Sequence, residues 1–299
     1  MSLKPLRRVV ALDGGTTNTR ARLLVDGQIV ATARRSVGVR DSVLSTRSSP
    51  LGEAARDAIG EVLQHGGGVS PDAIVASGML SSEVGLAAIP HVPAPAGIEE
   101  LASAAREVTL SEISERPILF IPGVRTPAAP GVDGWAAADV MRGEECETFG
   151  ALTMERLVGP IVFLWPGSHT KLVEVDAAGR IARSTTSLAG EITSALAGHT
   201  LIAASLPDAL PESPDPDAAA AGLRLGASEG LGRSAFLVRL AALGDVMTPE
   251  RRGAFWVGAV VGGDAAHLAR HPILSGGLPL VVGGREPLRG LYARALRGA

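Results

Sequence analysis

The chain has 299 residues, 46% hydrophobic and 20% charged, with a formal net charge of -3. That length favours two domains, each large enough for its own apolar core. The mixed charge provides neither a basic face for nucleic acid nor a polybasic run for a membrane surface, so small-molecule chemistry is the class that remains.

A lone cysteine, Cys146, excludes an internal disulfide, and Met1-Ser2-Leu3-Lys4 leads into no apolar h-region of a signal peptide. The longest apolar windows, such as Phe255 to Val261, fall short of the roughly 20 residues that span a bilayer. The expectation is a cytoplasmic protein without a transmembrane segment. Of 28 basic residues only Lys4 and Lys171 are lysines, a skew that GC-rich coding would produce. Lys171 therefore reads as an ammonium kept where a guanidinium would not fit, with chance as the plain alternative.

Arg8 to Leu12 reads as a buried strand that empties into Asp13-Gly14-Gly15-Thr16-Thr17-Asn18. Thr19 to Val25 alternates and stops at Asp26-Gly27, a hairpin signal, and Gln28 to Ala33 supplies a third strand. Two glycines let consecutive amides of the 14–18 turn converge on an anion, and the hydroxyls add donors, which suits a nucleotide phosphate. Asp13 would face the phosphates through water-bound Mg²⁺, because a bare carboxylate would repel them. The segment is read as an ATP site.

Ser36 to Ser48 lacks periodicity and reads as a loop, and Pro50 to Gln64 as a helix closed by Gly66-Gly67-Gly68. A strand at Ala73 to Ala76 runs into Ser77-Gly78-Met79-Leu80-Ser81-Ser82, a candidate substrate loop at a strand's carboxyl end. Ile98 to Val108 reads as a helix, Pro117 to Ile121 as a short buried strand, and Pro122 to Asp139 as an irregular active-site loop. In Met141-Arg142-Gly143-Glu144-Glu145 a guanidinium suited to clamping an anion stands beside two carboxylates, either of which could serve as a base. The alternative is the charged first turn of a surface helix.

The opening pattern then recurs about 150 residues on, which suggests two related domains facing one cleft, residues 1–150 and 151–299. Ile161 to Trp165 and Lys171 to Val175 are strands joined by Pro166-Gly167-Ser168-His169-Thr170, and Asp176 to Gly179 turns into Arg180 to Ala182. Gly167 and Ser168 could supply a second phosphate contact, and Lys171 or His169 could neutralise a phosphate or an acidic substrate. A solvated hairpin tip is the alternative.

Helices are expected over Gly190 to Ser205, Asp217 to Gly226, Arg233 to Leu243 and Pro249 to Arg270, before a strand at Leu278 to Val282. It meets Gly283-Gly284, where an adenine or ribose could lie against the backbone, although a plain strand-helix turn fits equally. Neither the Walker phosphate loop nor the dinucleotide fingerprint is present, and His65, His91, His199, His267 and His271 are too scattered for a zinc site.

Taken together, Leu12 to Asn18, Ser77-Gly78-Met79, Ile121-Pro122-Gly123, Val140 to Glu145, Pro166 to Lys171 and Gly190-Glu191 resemble the 2-dehydro-3-deoxygalactonokinase (2-keto-3-deoxygalactonate kinase) family. This is a branch of the sugar kinase, heat-shock ATPase and actin superfamily. Met-Arg-Gly-Glu-Glu followed by Pro-Gly-x-His-x-Lys carries the branch; the Asp-Gly-Gly-Thr turn carries only the superfamily.

The resemblance implies an α/β fold of two ribonuclease-H-like domains, with mixed sheets flanked by helices and a cleft between them. It implies ATP and Mg²⁺, and phosphorylation of the terminal hydroxyl of 2-keto-3-deoxygalactonate to the 6-phosphate in galactonate breakdown. On that reading Asp13 holds the metal through water, and Gly14, Gly15, Thr16, Thr17, Asn18, Gly167 and Ser168 contact phosphates. Gly283 and Gly284 lie at the adenosine, Arg142 or Lys171 binds the substrate carboxylate, and Gly78, Met79, Glu145 and His169 belong to the substrate side. Glu144 is the first choice of general base and Asp139 its rival.

A kinase for another acidic sugar or a hexose, or an actin-type ATP-binding regulator, are the competing readings. The chain ends soon after Gly284, where this family is expected to add a further strand and helix. Pairing into a homodimer is raised by related folds, with no interface legible in the sequence.

Overall fold

The computed structural model describes residues 7–44 and 50–297. Met1 to Lys4 and the end of the expected 36–48 loop lie outside them. The chain divides into two compact units, residues 1–157 and 158–299.

In the first unit β1 (Arg8–Gly14), β2 (Thr19–Val25) and β3 (Gln28–Arg35) form an antiparallel meander. Val10 and Leu12 of β1 and Ala21 and Leu23 of β2 are buried, as the alternation requires when one face meets a core. α1 (Val39–Leu44) occupies part of the stretch expected as loop, and α2 (Pro50–His65) follows. α2 buries Leu51, Ala54, Ala55, Ala58, Ile59 and Val62, one stripe at helical spacing, against the sheet. β4 (Ala73–Gly78) then runs parallel to β1, with Asp13 opposite Ser77 and Gly14 opposite Gly78.

β5 (Val92–Pro93) precedes α3 (Ile98–Ala104) and β6 (Arg106–Val108). The helix expected through Val108 therefore stops early: Ala105 is extended, and Arg106 to Val108 pair antiparallel with β7 (Ile118–Phe120). The backbone edge of β7 outweighs the weak apolar stripe of this segment. The stretch expected as an irregular loop contains β8 (Val124–Thr126), α4 (Val132–Ala136) and the start of β9 (Asp139–Met141), and α5 (Glu144–Met154) follows. These strands are too short to show a period. The main sheet has the order β3-β2-β1-β4-β7-β6, and β5-β8-β9 form a small second sheet.

The second unit repeats the meander with β10 (Ile161–Trp165), β11 (Thr170–Val175) and β12 (Ile181–Ser187). α6 (Ala189–His199), α7 (Pro216–Leu243) and α8 (Pro249–Leu268) follow, then β13 (Leu280–Val282) and α9 (Leu288–Leu296). β13 lies parallel to β10, as β4 lies parallel to β1, and the sheet order is β12-β11-β10-β13. The helix expected to reach Ser205 ends at His199, with a separate turn at Ala203–Ser205. The two helices expected over 217–226 and 233–243 abut across Gly230, whose φ of 75° breaks the helical run.

α7 and α8 approach so closely that a Cβ on Gly222, Gly226, Gly258 or Gly262 would lie 1.9 to 2.3 Å from a carbonyl oxygen of the facing helix. Asp215 and Thr248 cap their N-termini through side-chain acceptors, and Pro216 and Pro249 open their first turns. Among the described residues no helix is long and apolar enough to cross a membrane.

Candidate active site

Two turns, one in each unit, share a construction. In the 14–18 turn the Gly15 amide donates to the Asn18 carbonyl at 2.8 Å. The first amides of α1 take the turn's carbonyls: Val39 N–H donates to Gly15 O and Arg40 N–H to Thr16 O, each at 3.2 Å. Gly38 allows this approach, since its Cβ would fall 2.3 Å from Thr16 O. Among the described residues the Thr16 and Thr17 amides meet no acceptor. The Gly15 and Thr16 carbonyls are engaged and the Thr16 and Thr17 amides are open, the polarity an anion requires.

Asp13 closes β1 beside this turn. Its side chain is 42% exposed, with the Arg20 guanidinium 3.4 Å away. Arg34 holds Asn18 through its Oδ1 at 2.8 and 3.0 Å, and the Asn18 amide donates to Thr17 Oγ1. An exposed carboxylate next to open amides fits an Mg²⁺ ion held through water and phosphate oxygens, since this ion keeps most of its waters and needs one or two carboxylates.

The carboxyl ends of β1 and β4 meet the start of α5 in the same unit. Gly78 has φ of 67° and Gly143 of 121°, and a Cβ on Gly143 would lie 3.3 Å from Gly78 Cα. Two left-handed glycines thus let two backbones touch. Leu80, fully buried, fills the space under Gly14, where a Cβ would come within 2.4 Å of it. Met79 packs half-buried against the core.

Around this contact the Met141 to Glu145 segment turns its polar groups inward. Glu145 is 0% exposed and accepts the Gly143 amide at 2.7 and 2.8 Å. Burial pushes its carboxyl up to about 7, against the lowering effect of the backbone amides. The Cys146 thiol lies 3.7 Å from Glu145 Oε1, and burial with that carboxyl pushes it well up; Ser77 and Asp13 act on the same thiol. Glu144 accepts the Arg142 amide at 3.1 Å. The segment does begin a helix, with Glu145 buried, Glu144 half-buried and Glu147 exposed in its first turn.

Arg142 is placed differently from the expected anion clamp. Nη1 donates to Ser81 O at 2.6 Å and Ser81 Oγ at 2.8 Å; Nη2 reaches Ile89 O at 2.9 Å and His91 Nδ1 at 3.2 Å. Both terminal nitrogens are committed to the 81–91 loop, so Arg142 straps that loop to α5. Burial lowers its guanidinium from the ordinary value, opposed by Glu145 and Glu83. Asp139 begins β9 opposite Thr126, half-buried.

In the second unit the 166–169 turn is packed against α6. Glu191 N–H donates to Ser168 O at 3.0 Å, and a Cβ on Gly190 would lie 2.2 Å from Gly167 O. The Gly167 and Ser168 amides meet no acceptor among the described residues. His169 Nε2 pairs with Glu191 Oε1 at 2.8 Å, both side chains partly exposed. Lys171 is 4% exposed, with Nζ 2.5 Å from Thr186 Oγ1. This lysine sits under the turn rather than at the solvent. Gly283 comes to the same place, its Cβ position 2.0 Å from the Trp165 ring, and Gly284 abuts Pro166. Gly167, Ser168, Gly283 and Gly284, far apart in sequence, are therefore neighbours.

Thr170, Tyr292 and Asp264 form a hydrogen-bonded chain below this turn, buried at Thr170 and Tyr292 and half-buried at Asp264. The sequence offered one signal for it: Tyr292 is the chain's only tyrosine.

The profile of a family described as 2-keto-3-deoxy-galactonokinase matches residues 13–299. A Sinorhizobium meliloti structure provisionally identified as a 2-dehydro-3-deoxygalactonokinase superposes with a TM-score of 0.74 at 22% identity, covering 97% of this chain and 90% of that one. Component A of the Acidaminococcus fermentans (R)-2-hydroxyglutaryl-CoA dehydratase gives 0.46 at 14% identity, over 98% and 88% of the two chains. An Aquifex aeolicus member of the Ppx/GppA family gives 0.39 at 11%, over 98% and 99%. No curated protein matches the chain. The Sinorhizobium likeness shows the fold: α/β, with mixed sheets flanked by helices.

Proposed function

The chain belongs to the 2-keto-3-deoxy-galactonokinase family and is a sugar-acid kinase; from that premise we propose that it transfers the terminal phosphoryl group of ATP to the 6-hydroxyl of 2-dehydro-3-deoxy-D-galactonate. The observation that carries the ATP assignment is the pair of open amides at Thr16 and Thr17, set beside the exposed Asp13 carboxylate. Phosphate contacts come from the 14–18 turn and from Gly167 and Ser168, with Gly283 and Gly284 at the adenosine. A bound Mg²⁺ would neutralise charge on the phosphates and on the oxygen leaving with ADP.

The protein's part is mostly positioning. Asp13 would hold a hydrated Mg²⁺, the amides would fix the phosphates, and the Arg142 strap holds the 81–91 loop in place for the sugar acid. The 6-hydroxyl oxygen attacks the terminal phosphorus, its bond to the ADP oxygen breaks, and a carboxylate takes the hydroxyl proton. Glu144 is assigned as that base, with Asp139 the rival. Loss of turnover in Glu144→Gln and near-normal turnover in Asp139→Asn is expected; the reverse reassigns the base.

A coupled ADP-release assay with MgATP tests the whole reading, run on 2-dehydro-3-deoxy-D-galactonate, 2-dehydro-3-deoxy-D-gluconate, galactonate and no acceptor. Turnover confined to the first is expected. Turnover with another acid moves the substrate within the sugar-acid kinases, and acceptor-independent ADP release would overturn the transfer.

A further inference from the structure

Thr170 begins β11 directly after the second turn, and its side chain is 1% exposed. A hydroxyl buried there needs a partner. Thr170 Oγ1 lies 3.0 Å from Tyr292 Oη on α9, and Tyr292 Oη lies 2.5 Å from Asp264 Oδ2 on α8. A carboxylate can only accept and the phenol has one proton to give, so Tyr292 donates to Asp264 and Thr170 donates to Tyr292.

The chain's direction is thereby fixed, from the end of the turn through α9 to α8. Tyr292 sits in the core with Leu164, Leu172 and Leu291. Burial and the Asp264 carboxylate hold its phenol far above the ordinary range, so it stays a donor throughout neutral pH. Packing α9 on the sheet alone would be served by phenylalanine and valine at these positions, without desolvating two hydroxyls and a carboxylate.

We propose that Thr170, Tyr292 and Asp264 are positioning residues for the second phosphate turn. They anchor the residue after His169 to two helices, so that the Gly167 and Ser168 amides are held for the phosphates before ATP arrives. None of the three touches ATP. The inference rests on the reading that this turn contacts the ATP phosphates.

The test uses the full chain and steady-state kinetics. Tyr292→Phe keeps the ring and removes the hydroxyl; losing one buried hydrogen bond is expected to raise KM for MgATP about tenfold. KM for the sugar acid should stay near the wild-type value. Thr170→Val should match it and Thr170→Ser should restore the wild-type KM, which keeps the test open if Tyr292→Phe folds poorly. A fall in melting temperature with both KM values unchanged would mean packing alone, and would overturn the proposal.

Ser168→Glu separates the two levels, because a carboxylate in the turn repels phosphates wherever they bind it. If Ser168→Glu raises KM for MgATP and Tyr292→Phe does not, the relay alone is overturned. If Ser168→Glu leaves that KM unchanged, the turn is not a phosphate site and the relay falls with it.

Discussion

In residues 1–157 the 14–18 turn is held by α1 amides on its carbonyls, by Gly38 beneath Thr16 and Gly14 over Leu80, and by short side-chain contacts, Arg34 on Asn18 and Thr19 on the Val37 carbonyl. In residues 158–299 the 166–169 turn shares the helix-amide device at α6, but its side-chain anchor reaches further, from Thr170 through Tyr292 to Asp264 on two helices, with the buried Lys171 beneath. The difference is one of tolerance. Gly38 under the first turn admits no Cβ, whereas the hydroxyl chain behind the second can be loosened one atom at a time. Function divides the same way, since the exposed carboxylate lies beside the first turn and the exposed His169–Glu191 pair beside the second.

The largest expected effect is at Asp13. Asp13→Asn keeps the shape and removes the charge, and should lower kcat by a factor of about a hundred to a thousand, the range for loss of one preorganised electrostatic group. Rescue by added Mg²⁺ without loss of kcat would put the metal elsewhere.

Gly78→Ala comes next. It places a Cβ 2.5 Å from Gly14 O at a φ of 67°, and should destabilise the protein by about 3 kcal/mol in urea unfolding. A variant as stable as wild type would show that the β1–β4 contact yields more readily than the geometry implies.

Glu145 gives a pH signature. Its folded carboxyl is raised to about 7 from the model-compound value of 4.5, so the folded state binds the proton more tightly than the unfolded chain. Its contribution is fully present below pH 4.5 and is lost as pH rises through about 7. Glu145→Gln should therefore flatten the decline in stability between those values and gain up to about 3 kcal/mol over wild type at pH 8, relative to pH 4. Parallel stability curves for the two proteins would contradict the buried, proton-binding carboxyl.

The smallest effect belongs to the second turn's rim. His169→Gln breaks a partly exposed pair with Glu191 and should change stability by less than about 0.5 kcal/mol. A larger loss in thermal unfolding would mean that this side chain carries the turn, and would erase the contrast between rim and anchor.

The strands that order both turns were legible because their signals are local. β2 and β10 have the bounds their sequence alternation and flanking turns define, and the topology around β1 recurs around β10. Short strands were not: β6 and β8 have three residues each, too few for a period, and exist because a neighbouring edge offers hydrogen bonds.

The Asp13 turn could be read from glycines and hydroxyls, whose backbone freedom and donors are properties of single residues. Arg142 could not. Its charge suggested an anion clamp, and the carbonyls that occupy it, Ser81 and Ile89, come from a distant loop that no spacing rule connects to it. The Thr170–Tyr292–Asp264 chain is hidden for the same reason, since its members span 122 residues.

The glycine contacts between α7 and α8 put main chain, rather than large side chains, at the centre of a helix pair in a protein with 3% aromatic residues. Unfolding such a pair wets peptide groups along with a modest apolar area, and the two contribute to the heat capacity with opposite signs. The heat-capacity increment per residue should fall below the usual value of about 12–15 cal/mol/K. A smaller increment flattens the stability curve, so this kinase should hold a given stability across a broader span of temperature than a Leu- and Phe-filled core of the same size.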